Sequence, residues 1–173
     1  MNNLKLFSFL SIIFIIGCEE TNDTNGNIIP NSTEVVTSDI METNFYYNLA
    51  TKSEVQLDEV WHISAQSKQV GFGGQSYGMP NIVLGNVYAQ LSDSTFSEIT
   101  VPPAQNSSWF QDNSIVEYGE ENEIINYNMT THTASIVNAD QTFIVYEYIG
   151  HTSYKVQFLD YTSGIVSFQF TQL

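Results

Sequence analysis

Tyr154-Lys155-Val156-Gln157-Phe158-Leu159-Asp160-Tyr161-Thr162-Ser163-Gly164-Ile165-Val166-Ser167-Phe168-Gln169-Phe170 is the stretch that decides the fold. Its period is two. Tyr154, Val156 and Phe158 alternate with Lys155, Gln157 and Leu159, and Val166, Phe168 and Phe170 alternate with Ser167 and Gln169. Successive strand side chains leave opposite faces, so each run presents one apolar face, and Asp160–Gly164 between them reads as a hairpin turn. Thr142–Ile149, closed by Gly150, is β-branched and aromatic on both faces and reads as a strand central to a sheet. Glu123–Met129 sets Ile125, Tyr127 and Met129 on one face and Asn126 and Asn128 on the other, with a partner strand starting near His132. Upstream, Tyr46–Leu49, Val60–Ala65, Ile82–Leu91 and Phe96–Val101 also read as strands, although Gln56–Ala65 admits a short helix. With turn signals every 10 to 15 residues, the expectation is all-β: a single antiparallel domain, either a sandwich or barrel-like.

The chain has 173 residues, enough for one ordinary domain. Its 4 lysines, without any arginine, face 19 acids, for a net charge of −15. Nucleic acid is excluded as a partner, because binding it needs clustered cations that displace phosphate counterions. A polybasic membrane patch is excluded by the same count. The 11 Phe, 10 Tyr and 2 Trp are too many for a wholly disordered acidic chain.

The start of the chain reads as an address. Met1-Asn2-Asn3-Leu4-Lys5 is weakly positive, Leu6–Ile16 is largely apolar, and Gly17-Cys18 follows. At 1.5 Å per residue the run covers about half of a hydrocarbon core roughly 30 Å thick, so it is a signal peptide rather than a stable span. Ile15-Ile16-Gly17-Cys18 resembles the bacterial lipobox, where cleavage precedes a diacylated cysteine; this implies a lipid attached to Cys18. Since Cys18 is the only cysteine, no intrachain disulfide supports the fold. The expected organisation is a signal peptide at 1–17, a lipidated flexible tether at 18–42 and the β domain at 43–173. Glu19 and Glu20 resemble the acidic signals that send some lipoproteins to the cell surface.

Val70–Pro80 carries four glycines, but it lacks the Gly-Lys-Ser/Thr ending and a following helix, so it reads as a mobile aromatic loop rather than a phosphate cradle. The three histidines are far apart, with no His-x-x-x-His or cysteine pair to hold zinc. No Gly-x-Ser-x-Gly elbow occurs, and the chain is expected not to be an enzyme. The acidic run Glu117, Glu120, Glu121, Glu123 misses the calcium-loop pattern and reads as solvated. His62, opposite Trp61 on its strand, reads as a surface or hydrogen-bonded histidine, and His151 as a turn residue.

Several segments, in order, resemble the HmuY family of haem-binding outer-membrane lipoproteins. They are Trp61-His62-Ile63-Ser64, Gly73-Gly74-Gln75-Ser76-Tyr77-Gly78, Phe96-Ser97-Glu98-Ile99-Thr100, Asn126–Thr133 and the closing hairpin. The resemblance implies a hand-shaped β fold and capture of haem at the cell surface for an outer-membrane haem receptor, with membrane contact through the lipid anchor alone. It also implies iron held by two side chains. One axial position falls on Met129, with His132 as the competing choice, while the interval Val101–Ile125 offers no His or Met for the other. Haem needs an apolar cleft and soft donors, and Tyr127, Met129, His132, Tyr77 and Phe72 are the residues expected to supply them. Read without the resemblance, Met129 packs in the core beside Ile125 and Tyr127, and His132 is either solvated or a ligand. The propionates would find only Lys52, Lys68 and Lys155 as cations. The alternative is a surface lipoprotein of the same fold that binds no haem and works through protein or glycan contacts.

Overall fold

A computed structural model describes residues 32–104, 109–110 and 112–173. The signal peptide at 1–17, Cys18, Glu19 and Glu20, and the tether up to residue 31 lie outside the described residues. Among the described residues there are eleven strands: β1 Thr33–Val36, β2 Phe45–Asn48, β3 Ser53–Glu54, β4 Ile63–Phe72, β5 Gln75–Leu84, β6 Val87–Ser92, β7 Ile125–Asn128, β8 Thr133–Ile136, β9 Thr142–Glu147, β10 Thr152–Thr162 and β11 Ile165–Gln172. A 3-10 turn occupies Asn113–Val116. The strands form a five-stranded sheet ordered β1-β11-β10-β9-β6, a four-stranded sheet ordered β3-β2-β4-β5, and the separate ribbon β7-β8. All strand pairs are antiparallel.

The alternating residues of the closing hairpin explain the packing. Tyr154, Val156, Phe158, Val166, Phe168 and Phe170 are all buried, and they meet Phe45, Tyr47, Ile63, Ala65, Ile82 and Leu84 of the four-stranded sheet. Tyr47 of β2 lies edge-on to Phe168 and Phe170 of β11, with centroids 5.7 and 5.8 Å apart. The two larger sheets therefore form a sandwich, and neither closes into a barrel. Each fully buried aromatic contributes about 1.5–3 kcal/mol, which is why a chain with no disulfide holds this core.

Several expectations change. The turn placed at Asp160–Gly164 contracts to Ser163-Gly164, since the ladder continues through Thr162↔Ile165 past a bulge between Phe158 and Asp160. Both turn residues have positive φ, 51° and 86°, as a two-residue hairpin requires. Ile82–Leu91 is two strands in different sheets, broken where Gly85 passes Trp61 so closely that a Cβ would sit 2.4 Å from the Trp61 carbonyl oxygen. Phe96–Val101 is not a strand. It is a loop whose Phe96 and Ile99 carbonyls accept hydrogen bonds from the buried Lys155 Nζ of β10 at 2.6 and 2.8 Å. Finally, Thr33–Ile40, read as tether, belongs to the body: β1 pairs with β11, Val35 and Ile40 are buried, and the Ile40 N–H donates to Gly164 O at 2.8 Å.

Candidate functional site

Val70–Pro80, read as a loop, is the far half of a ten-pair hairpin. β4 and β5 stay in register from Ile63↔Leu84 to Phe72↔Gln75 and turn on Gly73-Gly74, whose φ values are 60° and 81°. The glycines are there for the turn. Because cross-strand partners share a face, the pairs Lys68↔Met79, Val70↔Tyr77 and Phe72↔Gln75 put Val70, Phe72, Tyr77 and Met79 on one side of this hairpin.

The β7–β8 tip is built by a side-chain cap. Asn128 Oδ1 accepts from the Thr130 and Thr131 N–H groups at 2.8 and 3.1 Å, and the His132 N–H returns to Asn128 O at 2.8 Å. This pattern leaves the residue after the turn at positive φ, and His132 sits at 54°. The same device recurs at Asn48, which accepts from the Ala50 and Thr51 N–H groups ahead of Lys52, and at Glu147, which accepts from the Ile149 and Gly150 N–H groups ahead of His151. At the β7–β8 tip the Tyr127 hydroxyl is 3.0 Å from His132 Nδ1. That fixes the imidazole by one nitrogen and leaves Nε2 as its free donor or acceptor.

These two hairpins and the segment after the 3-10 turn enclose a cleft of about 320 Å³, lined by Phe72, Tyr77, Tyr118, Tyr127, Met129 and His132 together with Val70, Gly71 and Met79. Thus Tyr77, Tyr127, Met129 and His132, up to 55 positions apart in the chain, line one hollow. Met129 is 52% exposed, so it is not the core residue that its strand face predicted; it lies past the end of β7, in the turn. A second hollow of about 580 Å³ shares Tyr77, Met79, Tyr127 and His132 and continues past Met41 and Tyr161. Volumes of this size fall in the range of small-molecule sites, about 300–1,000 Å³.

Tyr118 was not legible in the sequence. It comes from the interval that lacks His and Met, and its N–H donates to the buried Asn81 Oδ1 at 2.6 Å. Val70 and Met79 could have been found, since they lie two residues from Phe72 and Tyr77 and alternation puts them on the same face.

The cations are mostly committed elsewhere. Lys155, buried beneath the Phe96 ring with its Nζ 4.5 Å from the centroid, holds the loop described above; burial pushes its pKa down. Lys68 pairs with Glu117 at 3.1 Å and donates to Tyr118 O at 3.2 Å, on the cleft's rim. In the acidic run, Glu117 is thereby paired, and Glu123 accepts from Gly119 N–H at 2.7 Å and from the Asn126 amide. His62, read as a surface or hydrogen-bonded histidine, is buried and hydrogen-bonded. Its Nδ1 accepts from the Leu49 N–H at 3.1 Å, and burial lowers its pKa while the nearby Glu147 carboxylate opposes that shift. His151 does stand in a turn.

No family model matches the chain, and no curated protein matches it. Among solved structures the chain is similar to that of apo PinO from Porphyromonas gingivitis, with a TM-score of 0.52 and 13% sequence identity over 83% of this chain and 97% of that one. At this identity the similarity is one of fold.

Proposed function

We propose that the protein is a non-enzymatic, lipid-anchored haem-binding protein of the HmuY type, held at the outer membrane through Cys18 and capturing haem for a receptor. The observation that carries the reading is the convergence of Tyr77, Tyr127, Met129 and His132 on one cleft with mostly aromatic and thioether walls. When bound, haem supplies an iron that takes thioether or imidazole ligands and a flat apolar ring. The residues present fit that group. Met129 and His132 both offer soft donors at the rim, Tyr127 orients the His132 ring, and Phe72, Tyr77 and Tyr118 supply apolar surface that keeps water from the macrocycle. Lys68, two residues before Val70 on the same strand face, brings a cation to the lining, its Nζ donating to Tyr118 O at 3.2 Å.

The test is a haemin titration of the purified protein followed in the Soret band. The expected result is a saturable, shifted band that is weakened in Met129→Ala, in His132→Ala, or in both. A flat titration overturns the reading, and an unchanged spectrum in both variants shows that the iron is held by other atoms.

A further inference from the structure

A second set of rings stands outside the cleft and shares no residue with it. Tyr88 of β6 and Tyr146 of β9 are cross-strand partners, so their side chains leave the same face of the five-stranded sheet. Tyr148, just past β9, lies against Tyr88 with centroids 5.8 Å apart. Trp109 meets Tyr146 edge-on at 6.4 Å, and the Tyr146 hydroxyl is 2.7 Å from His151 Nδ1. The shelf is fixed rather than collapsed: the Trp109 indole N–H donates to Ala104 O at 3.3 Å, and the Phe110 N–H donates to Ala89 O at 2.8 Å. Tyr88 and Tyr148 nevertheless stay 37% and 41% exposed.

We propose that Tyr88, Trp109, Tyr146, Tyr148 and His151 form a second binding site, for a neutral saccharide. The apolar C–H face of a pyranose ring packs on the exposed tyrosine rings, and its hydroxyls bond to the phenols and to His151 Nε2. Two features select this occupant. The Tyr88 and Tyr148 hydroxyls make no hydrogen bond among the described residues. An apolar partner would bury them unsatisfied, whereas a polyol satisfies them. A cationic ligand would want a carboxylate beside the rings, but Glu147, the acid closest in sequence, is buried and turned onto the Ile149 and Gly150 N–H groups of its own turn. The inference is independent of the haem reading.

The experiment is a screen of the purified protein against an array of neutral hexose and N-acetylhexosamine oligosaccharides, followed by calorimetric titration of the best binder. Saturable binding is expected, weakened about tenfold or more in Tyr148→Ala and in Trp109→Ala. Tyr148 is exposed, so its truncation leaves the thermal melt in place, and haemin binding is unmoved in both variants. The proposal is overturned if no saccharide binds, if the binder is indifferent to both substitutions, or if only a trimethylammonium probe binds through these rings.

Discussion

Substituting Gly164 tests where the folded body begins. Gly164 has φ 86°, and a Cβ placed there would lie 2.0 Å from Asp39 Oδ1 and 2.6 Å from Asp39 Cγ. An alanine in this left-handed conformation costs about 1–2 kcal/mol. The Asp39 carboxylate must also swing away and give up the hydrogen bond it accepts from the Met41 N–H at 2.9 Å, a further cost of about 0.5–1.5 kcal/mol. Gly164→Ala is therefore expected to destabilise by about 1.5–3.5 kcal/mol, read as the shift in the urea midpoint at constant m-value. Gly74→Ala is the control. Its φ is 81°, but nothing lies within 4 Å of the new Cβ, so only the conformational cost of about 1–2 kcal/mol remains. Adding Asp39→Ala to Gly164→Ala removes the obstructing carboxylate, so the double variant should cost less than the two singles combined, by about 0.5–1.5 kcal/mol. If Gly164→Ala costs no more than Gly74→Ala, or if the double variant is additive, the Asp39–Ile40 segment is not seated on this turn in solution.

Three further outcomes follow from the geometry. His62 is buried and neutral with its pKa below the ordinary histidine value, so below about pH 6.5 the unfolded chain binds the extra proton; stability is full above that pH and falls as the pH drops from about 6.5 toward 5, as thermal melts will show, with a flatter slope in His62→Gln. Lys155→Met leaves the Phe96 and Ile99 carbonyls without their donor, and should cost about 2–3 kcal/mol in urea titrations while opening the loop around Phe96–Val101 to limited proteolysis. His132→Gly relieves a positive φ of 54° worth about 1 kcal/mol, so it should melt no lower than the parent while haemin binding weakens about tenfold or more; a fall in the melt with unchanged binding would show the imidazole to be structural.

Period-two alternation made the closing hairpin and the β7–β8 ribbon legible, because each has one face in the core or against it. Two of the misreadings share a cause: contacts distant in sequence that no local pattern records. Thr33–Val36 looks like tether because only one of its four side chains, Val35, is buried; what holds it is the backbone ladder to β11. Phe96–Val101 has strand composition, but the lysine that pins it lies 56 to 59 residues later. The glycines of Val70–Pro80 suggested a loop, and they serve instead to close a two-residue turn at the end of an unusually long ladder. The candidate site was legible as a residue set because its aromatic and soft side chains are concentrated on two hairpins. Tyr118 was hidden because its placement depends on Asn81, 37 positions earlier.

Amide hydrogen exchange with and without haemin locates the ligand most directly. The account predicts slower exchange in two separate segments at once, Val70–Met79 of the β4–β5 hairpin and Tyr127–Thr133 of the β7–β8 tip, with the shelf at Tyr146–His151 unchanged. Protection confined to one hairpin, or appearing elsewhere in the sandwich, would contradict a haem held between them.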